Sequence, residues 1–246
     1  MLIPGLVTIT FRPFSREEVA ETAAKAGLRR LEWGGDIHVP PGDDRAAEDA
    51  VRLTALHGLE VDTYGSYFRC MPGEDAGAVV GTAEKLGARN LRVWAGQKGS
   101  AEISEEERGA VVSGIRTVCR MAPRGMTVST EFHQNTLTDR YESAVRMAEE
   151  VGEENFRLYW QPNQFMDDAY NLAAVKACLP YLSNVHVFTW SGHDKFPLAD
   201  GERMWRQYIE IVASDGSDHG LFLEFTCDGS AEQLYRDAET LARWLD

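Results

Sequence analysis

Four side chains able to hold a cation fall at or near the ends of four successive apolar runs in the second half of the chain: Glu131, Gln161, His186 and Glu224. Two carboxylates, one imidazole and one amide oxygen make an oxygen-rich donor set for a single divalent ion, Mn2+ or Mg2+ first, with Zn2+ or Co2+ as alternatives. Ionised Glu131 and Glu224 around a neutral His186 balance the charge of such an ion. The competing reading is structural: the same acids pair with inward arginines, such as Arg30 or Arg92, inside a polar core.

One candidate ligand per strand-plus-helix unit is the arrangement that the mouth of a (β/α)8 TIM barrel requires. The sequence supplies eight such units. Short apolar runs near 5–11, 28–34, 59–65, 90–95, 126–132, 156–161, 184–190 and 220–226 alternate with amphipathic stretches near 15–26, 43–57, 74–87, 104–121, 138–151, 168–179, 201–213 and 230–244. Ser15, Ser104 and Ser230, each followed by acids, read as helix starts, and Gly27, Gly58, Gly87 and Gly152 read as helix ends. Period-two alternation places Ser129, Glu131 and His133 on one strand face and Val128 and Phe132 on the other. By the same rule His186 opposes Val185 and Val187, and Glu224 opposes the leucines beside it. All these polar residues point into the barrel.

A chain of 246 residues is the usual size for one such barrel, and no low-complexity linker divides it, so 1–246 reads as a single domain. A formal net charge of −14 makes nucleic acid a poor partner, because phosphate backbones are held by lysine and arginine. A small molecule fits better, and nothing in the sequence opposes a homo-oligomer. Cys70, Cys119, Cys178 and Cys227 have no pairwise motif spacing, which points to reduced thiols and a cytoplasmic protein. No secretory leader and no apolar run of membrane-spanning length is expected.

Several segments carry a specific resemblance. They are Gly5-Leu-Val-Thr-Ile-Thr-Phe-Arg12, Leu31-Glu-Trp-Gly-Gly-Asp-Ile-His-Val39, Ser129-Thr-Glu-Phe-His-Gln-Asn-Thr-Leu-Thr138 and Leu223-Glu-Phe-Thr-Cys-Asp-Gly-Ser230. Through them the chain resembles the xylose isomerase-like TIM barrel superfamily, in particular its sugar phosphate isomerase/epimerase branch. In that family a Glu on strand 5, an Asp on strand 6, a His on strand 7 and a Glu on strand 8 bind the metal, which the resemblance carries onto Glu131, Gln161, His186 and Glu224. The strand 6 position departs from the pattern. Tyr159-Trp160-Gln161-Pro162-Asn163-Gln164 offers amides where the family often has Asp and His. An uncharged amide should bind a cation more weakly and leave it a stronger Lewis acid. The family's Arg shortly after the strand 7 His is also missing, with His193 and Lys195 nearby instead.

The resemblance implies a divalent-metal-dependent isomerase or epimerase of sugars or sugar phosphates, acting by proton transfer through an enediolate with Glu131 and Glu224 as the acid/base pair. Glu32 and His38 are expected to meet substrate hydroxyls, His133 to contact substrate or orient Glu131, and Trp94 and Trp190 to wall a sugar ring. Lys195 and Arg12 could engage an anionic group; Tyr64, Tyr67 and Phe11 are weaker candidates. The same carboxylates would also serve a cyclitol dehydratase or a hydroxypyruvate isomerase, which share removal of a proton next to a carbonyl. Loss of the strand 6 acid leaves open a non-catalytic small-molecule binding protein. An endonuclease IV-like phosphodiesterase needs several metals and a basic face, and this acidic chain with six histidines does not supply them.

Overall fold

Strand-forming apolar runs close into one parallel barrel in a computed structural model that describes residues 1–246. The strands in chain order are β1 (Leu2–Val7), β2 (Arg30–Gly34), β3 (Glu60–Gly65), β4 (Asn90–Val93), β5 (Thr127–Glu131), β6 (Phe156–Trp160), β7 (Leu182–Val187), a hairpin of β8 (Thr189–Ser191) and β9 (Asp194–Phe196), and β10 (His219–Leu223). Around the barrel they run β1-β10-β7-β6-β5-β4-β3-β2. Eight helices cover the outside: α1 (Arg16–Lys25), α2 (Asp44–Leu56), α3 (Gly77–Lys85), α4 (Glu105–Met121), α5 (Tyr141–Val151), α6 (Asp168–Cys178), α7 (Glu202–Ala213) and α8 (Ala231–Leu245). No helix is long and apolar enough to cross a membrane.

Local chemistry sets many of these boundaries. Ser15 and Ser104 each form a reciprocal capping box with the glutamate three residues on, satisfying backbone N–H groups that the first helical turn leaves unpaired. Ser230 caps α8 through the backbone N–H of Gln233. Four strands stop two or more residues short of the sequence expectation, β4 at Val93 and β10 at Leu223 among them. The first strand stops at Val7, where a 3-10 turn over Thr8–Phe11 takes over and Thr8 Oγ1 accepts the Gly34 N–H at 2.9 Å. The seventh stops at Val187, so Trp190 belongs to the β8–β9 hairpin and not to a barrel strand.

The outward strand faces and the inner helix faces share a core of 58 buried apolar residues, whereas Val7, Ile9, Tyr159 and Phe222 form a separate cluster of four. The barrel interior is therefore largely polar. Near the N-terminal ends of the strands Arg30 pairs with Asp62 at 3.0 Å, and Asn184 Nδ2 donates to the other Asp62 oxygen at 2.7 Å. Above this ring the Phe222 side chain fills the axis. A Cβ on Gly220 would fall 2.1 Å from the Phe222 ring and one on Gly5 would fall 2.6 Å from it, so glycine is required both on Phe222's own strand and on neighbouring β1.

Candidate metal centre and substrate cavity

The C-terminal strand ends surround a cavity of about 350 Å3. Glu131 closes β5, Gln161 follows β6 by one residue, His186 is next to last in β7, and Glu224 follows β10 by one. Period-two alternation turns all four inward, and His186 Nδ1 becomes their meeting point. Gln161 Oε1 lies 2.7 Å from it, and Glu131 Oε1 and Glu224 Oε2 each lie 3.7 Å from it. The ligand atoms offered by Glu131, His186 and Glu224 are all within 4.8 Å of one another. Three acceptor oxygens converging on one imidazole nitrogen suit a cation, so the donor set fits a divalent ion.

The two glutamates have different surroundings. Glu131 Oε2 receives the Trp94 indole N–H at 3.0 Å and a charged hydrogen bond from Arg92 Nη1. Arg92 reaches further: its Nε donates to Glu32 Oε1 at 2.7 Å, and Glu32 Oε2 stands 3.2 Å from His186 Nε2. Glu224 has no arginine or lysine partner; the only basic group within 4 Å of its carboxylate is His186. Burial drives the Glu224 pKa up to about 7, with the Glu131 charge adding to the effect and His186 opposing it. Burial works against a charged His186, but Glu224 and Glu32 outweigh it and raise the imidazole pKa. Burial also opposes ionisation of Glu32, yet Arg92 and His186 hold its pKa at about 2.

Glu131, Gln161, Glu224, Trp94, His133 and Trp190 all line the cavity, and His186 lies fully buried beneath its floor. His133 stacks on Trp94 with ring centroids 4.2 Å apart, and its Nδ1 bonds the Gln134 carbonyl at 2.8 Å. Because a carbonyl only accepts, Nδ1 carries the hydrogen and Nε2 is the free nitrogen. Lys195 sits at the rim on β9, its ammonium 4.4 Å above the Phe225 ring and 5.0 Å from Trp190.

Two expectations are corrected. Glu32 has no surface on the cavity: it is 0% exposed and occupied by Arg92 and His186. His38, 3% exposed, bonds Thr8 Oγ1 and the Phe14 carbonyl, because the chain after β2 turns against the segment between β1 and α1. Neither is placed to meet substrate. The competing structural reading is met in half: Arg92 does pair with Glu131, whereas Arg30 serves Asp62 at the other end of the barrel. Asp139, Phe165 and Phe225 line the cavity without having been singled out. The Phe225 backbone, at φ 52°, is left-handed, a conformation that side-chain type does not announce.

Comparison with known proteins agrees with the barrel fold. The sequence profile described as xylose isomerase-like TIM barrel matches residues 20–245. A curated 3-dehydroshikimate dehydratase of Bacillus anthracis is 28% identical over 166 residues, a match spanning 63% of this chain and 59% of that protein. Among solved structures, a probable 3-DHS dehydratase involved in petrobactin synthesis in the same organism superposes with a TM-score of 0.79 at 21% identity, covering 98% of this chain and 99% of that one. D-psicose 3-epimerase of Clostridium cellulolyticum H10, solved with D-tagatose, gives 0.72 at 15% identity over 98% of this chain and 97% of its own.

Proposed function

This chain is a member of the xylose isomerase-like TIM barrel family, and from that premise we propose that it is a divalent-metal-dependent dehydratase of a hydroxylated cyclic ketone, with 3-dehydroshikimate as the candidate substrate. The observation that carries this reading is the inequality of the two glutamates. Epimerisation by the Glu131 and Glu224 pair needs both to exchange protons with carbon. Glu131 is tied through one oxygen to Arg92 and Trp94, which fixes that oxygen in place and takes it out of reach of substrate carbon. Glu224, which has no arginine or lysine partner, is the group left able to accept and release a proton. Loss of water needs only one carbon base.

In this reading Glu131, Gln161, His186 and Glu224 hold the cation, which when bound offsets the negative charge that grows on a carbonyl oxygen as the neighbouring C–H bond breaks. Glu224 takes that proton. The electron pair moves in to form the ring double bond, the β-hydroxyl leaves, and the imidazolium form of His133, carrying hydrogen on Nε2 as well as Nδ1, gives up its Nε2 proton to turn it into water. Both groups return to their starting states by exchange with solvent. Trp94 and Trp190 offer flat surfaces to a ring that becomes planar as the double bond forms. The curated dehydratase relative supports the same reaction class.

Ketose epimerisation is the second reading, favoured by one observation: Glu131 Oε1 is free of Arg92 and stands as close to His186 Nδ1 as Glu224 Oε2 does. Incubation with Mn2+ in deuterated water separates the two. Dehydration is expected to consume 3-dehydroshikimate with growth of aromatic ultraviolet absorbance, and Glu224→Gln should slow it roughly a hundred- to ten-thousandfold. An inert 3-dehydroshikimate, together with deuterium incorporated next to the carbonyl of a ketose, would replace this reading with the second.

A further inference from the structure

Glu32 is a fully buried carboxylate that takes no part in the steps above, yet it touches the candidate ligand His186. We propose that Glu32 is a positioning residue that fixes the tautomer of His186, placing the hydrogen on Nε2 and leaving the Nδ1 lone pair for the cation. The inference rests on the reading that Glu131, Gln161, His186 and Glu224 hold a divalent ion.

Donor and acceptor rules carry the first step. An ionised carboxylate only accepts, so the 3.2 Å contact between His186 Nε2 and Glu32 Oε2 requires hydrogen on Nε2; the Gln161 amide oxygen, 2.7 Å from Nδ1, draws a second hydrogen there, and that is the one a cation replaces. Arg92 carries the second. It occupies Glu32 Oε1 at 2.7 Å and Glu131 Oε2, so each carboxylate keeps one oxygen for the histidine side of the barrel: Oε2 of Glu32 toward Nε2, Oε1 of Glu131 toward Nδ1. The backbone is shaped around this arrangement. A Cβ on Gly65 of β3 would fall 2.5 Å from Glu32 Oε1 and 2.7 Å from Arg92 Nη2, so only glycine leaves room for the pair. The β2–β3 register also shifts between Leu31 and Glu32, the kind of irregularity that re-aims a side chain. The Tyr159 ring, 4.4 Å from the imidazole, covers His186 from the adjoining strand.

The test is Mn2+ binding, followed by electron paramagnetic resonance, to the parent and to Glu32→Gln. Partners of this kind typically set metal affinity by roughly 10- to 100-fold, and a weakening of that size is expected. A second measurement needs no variant. In parent protein carrying Zn2+ and nitrogen-15 histidine, nuclear magnetic resonance is expected to show His186 with hydrogen on Nε2 and metal on Nδ1. Equal Mn2+ affinity in the two proteins, or hydrogen on Nδ1, overturns the role of Glu32. A parent that binds neither ion overturns the metal reading itself. Should Glu32→Gln not fold, the parent spectrum decides alone.

Discussion

Glu131 and Glu224 are chemically identical side chains at equivalent strand ends, and what separates them is the neighbour each one meets. An arginine and an indole N–H hold the first, while the second faces His186 with no other cation in contact. Gln161 adds a third level of charge, a neutral dipole beside two acids. Gln161→Glu keeps the side-chain length and adds a formal charge 2.7 Å from His186 Nδ1, so Mn2+ should bind about tenfold tighter or more, read by calorimetric titration. Unchanged affinity would mean that Gln161 is not a ligand. At this scale alternation was informative about direction and silent about depth. It turned Glu131 inward, but nothing in it showed that Glu32, expected to meet substrate, lies deeper, out of reach of the cavity and within reach of His186. Depth follows from the stagger of neighbouring strands, and a single strand's pattern does not contain it.

The elements themselves were almost wholly legible, because capping serines, closing glycines and amphipathic helices are local signals. Helices expected near 104–121 and 168–179 fold as Glu105–Met121 and Asp168–Cys178. The β8–β9 hairpin was not legible: three-residue strands are too short to show a period, and Trp190 read as the end of the preceding apolar run. Another element-level contact was equally hidden, the docking of α8 beneath the turn after the hairpin. There Asp237 accepts the Leu198 N–H at 2.9 Å and Gln233 Nε2 at 2.8 Å. Burial raises the Asp237 pKa against these bonds, so the fold prefers the neutral acid. Its stabilising contribution is complete below the unfolded carboxylate pKa and is lost as pH rises through the higher folded value. Asp237→Asn cannot ionise. Its melting temperature relative to the parent should therefore climb between about pH 3 and pH 7, measured by scanning calorimetry. A difference independent of pH would show that the carboxyl does not titrate in that window.

Across the whole molecule, the closed sheet brings together ligands separated by 93 positions between Glu131 and Glu224, and no local segment holds the ion alone. An ion that binds only the assembled barrel must stabilise all of it. At a concentration a hundred times its dissociation constant, such a ligand adds about 2.7 kcal/mol, which for a domain of this size corresponds to a rise of roughly 5 to 10 °C in melting temperature. Mn2+ should produce that shift and a chelator should reverse it; a melt indifferent to both would argue against a bound ion. The acidic total of −14 does not oppose this site, because the charges inside the barrel are set by Arg92, Glu32, Glu131 and Glu224 and not by the surface. The same separation appears between floor and rim. The floor is built on barrel strands locked to both neighbours, whereas Trp190, His193 and Lys195 ride on a two-stranded ribbon that pairs only with itself. Exchanging that ribbon is thus a modular route to altered selectivity, in which an engineer could graft a new recognition loop while the proton-handling machinery stays untouched.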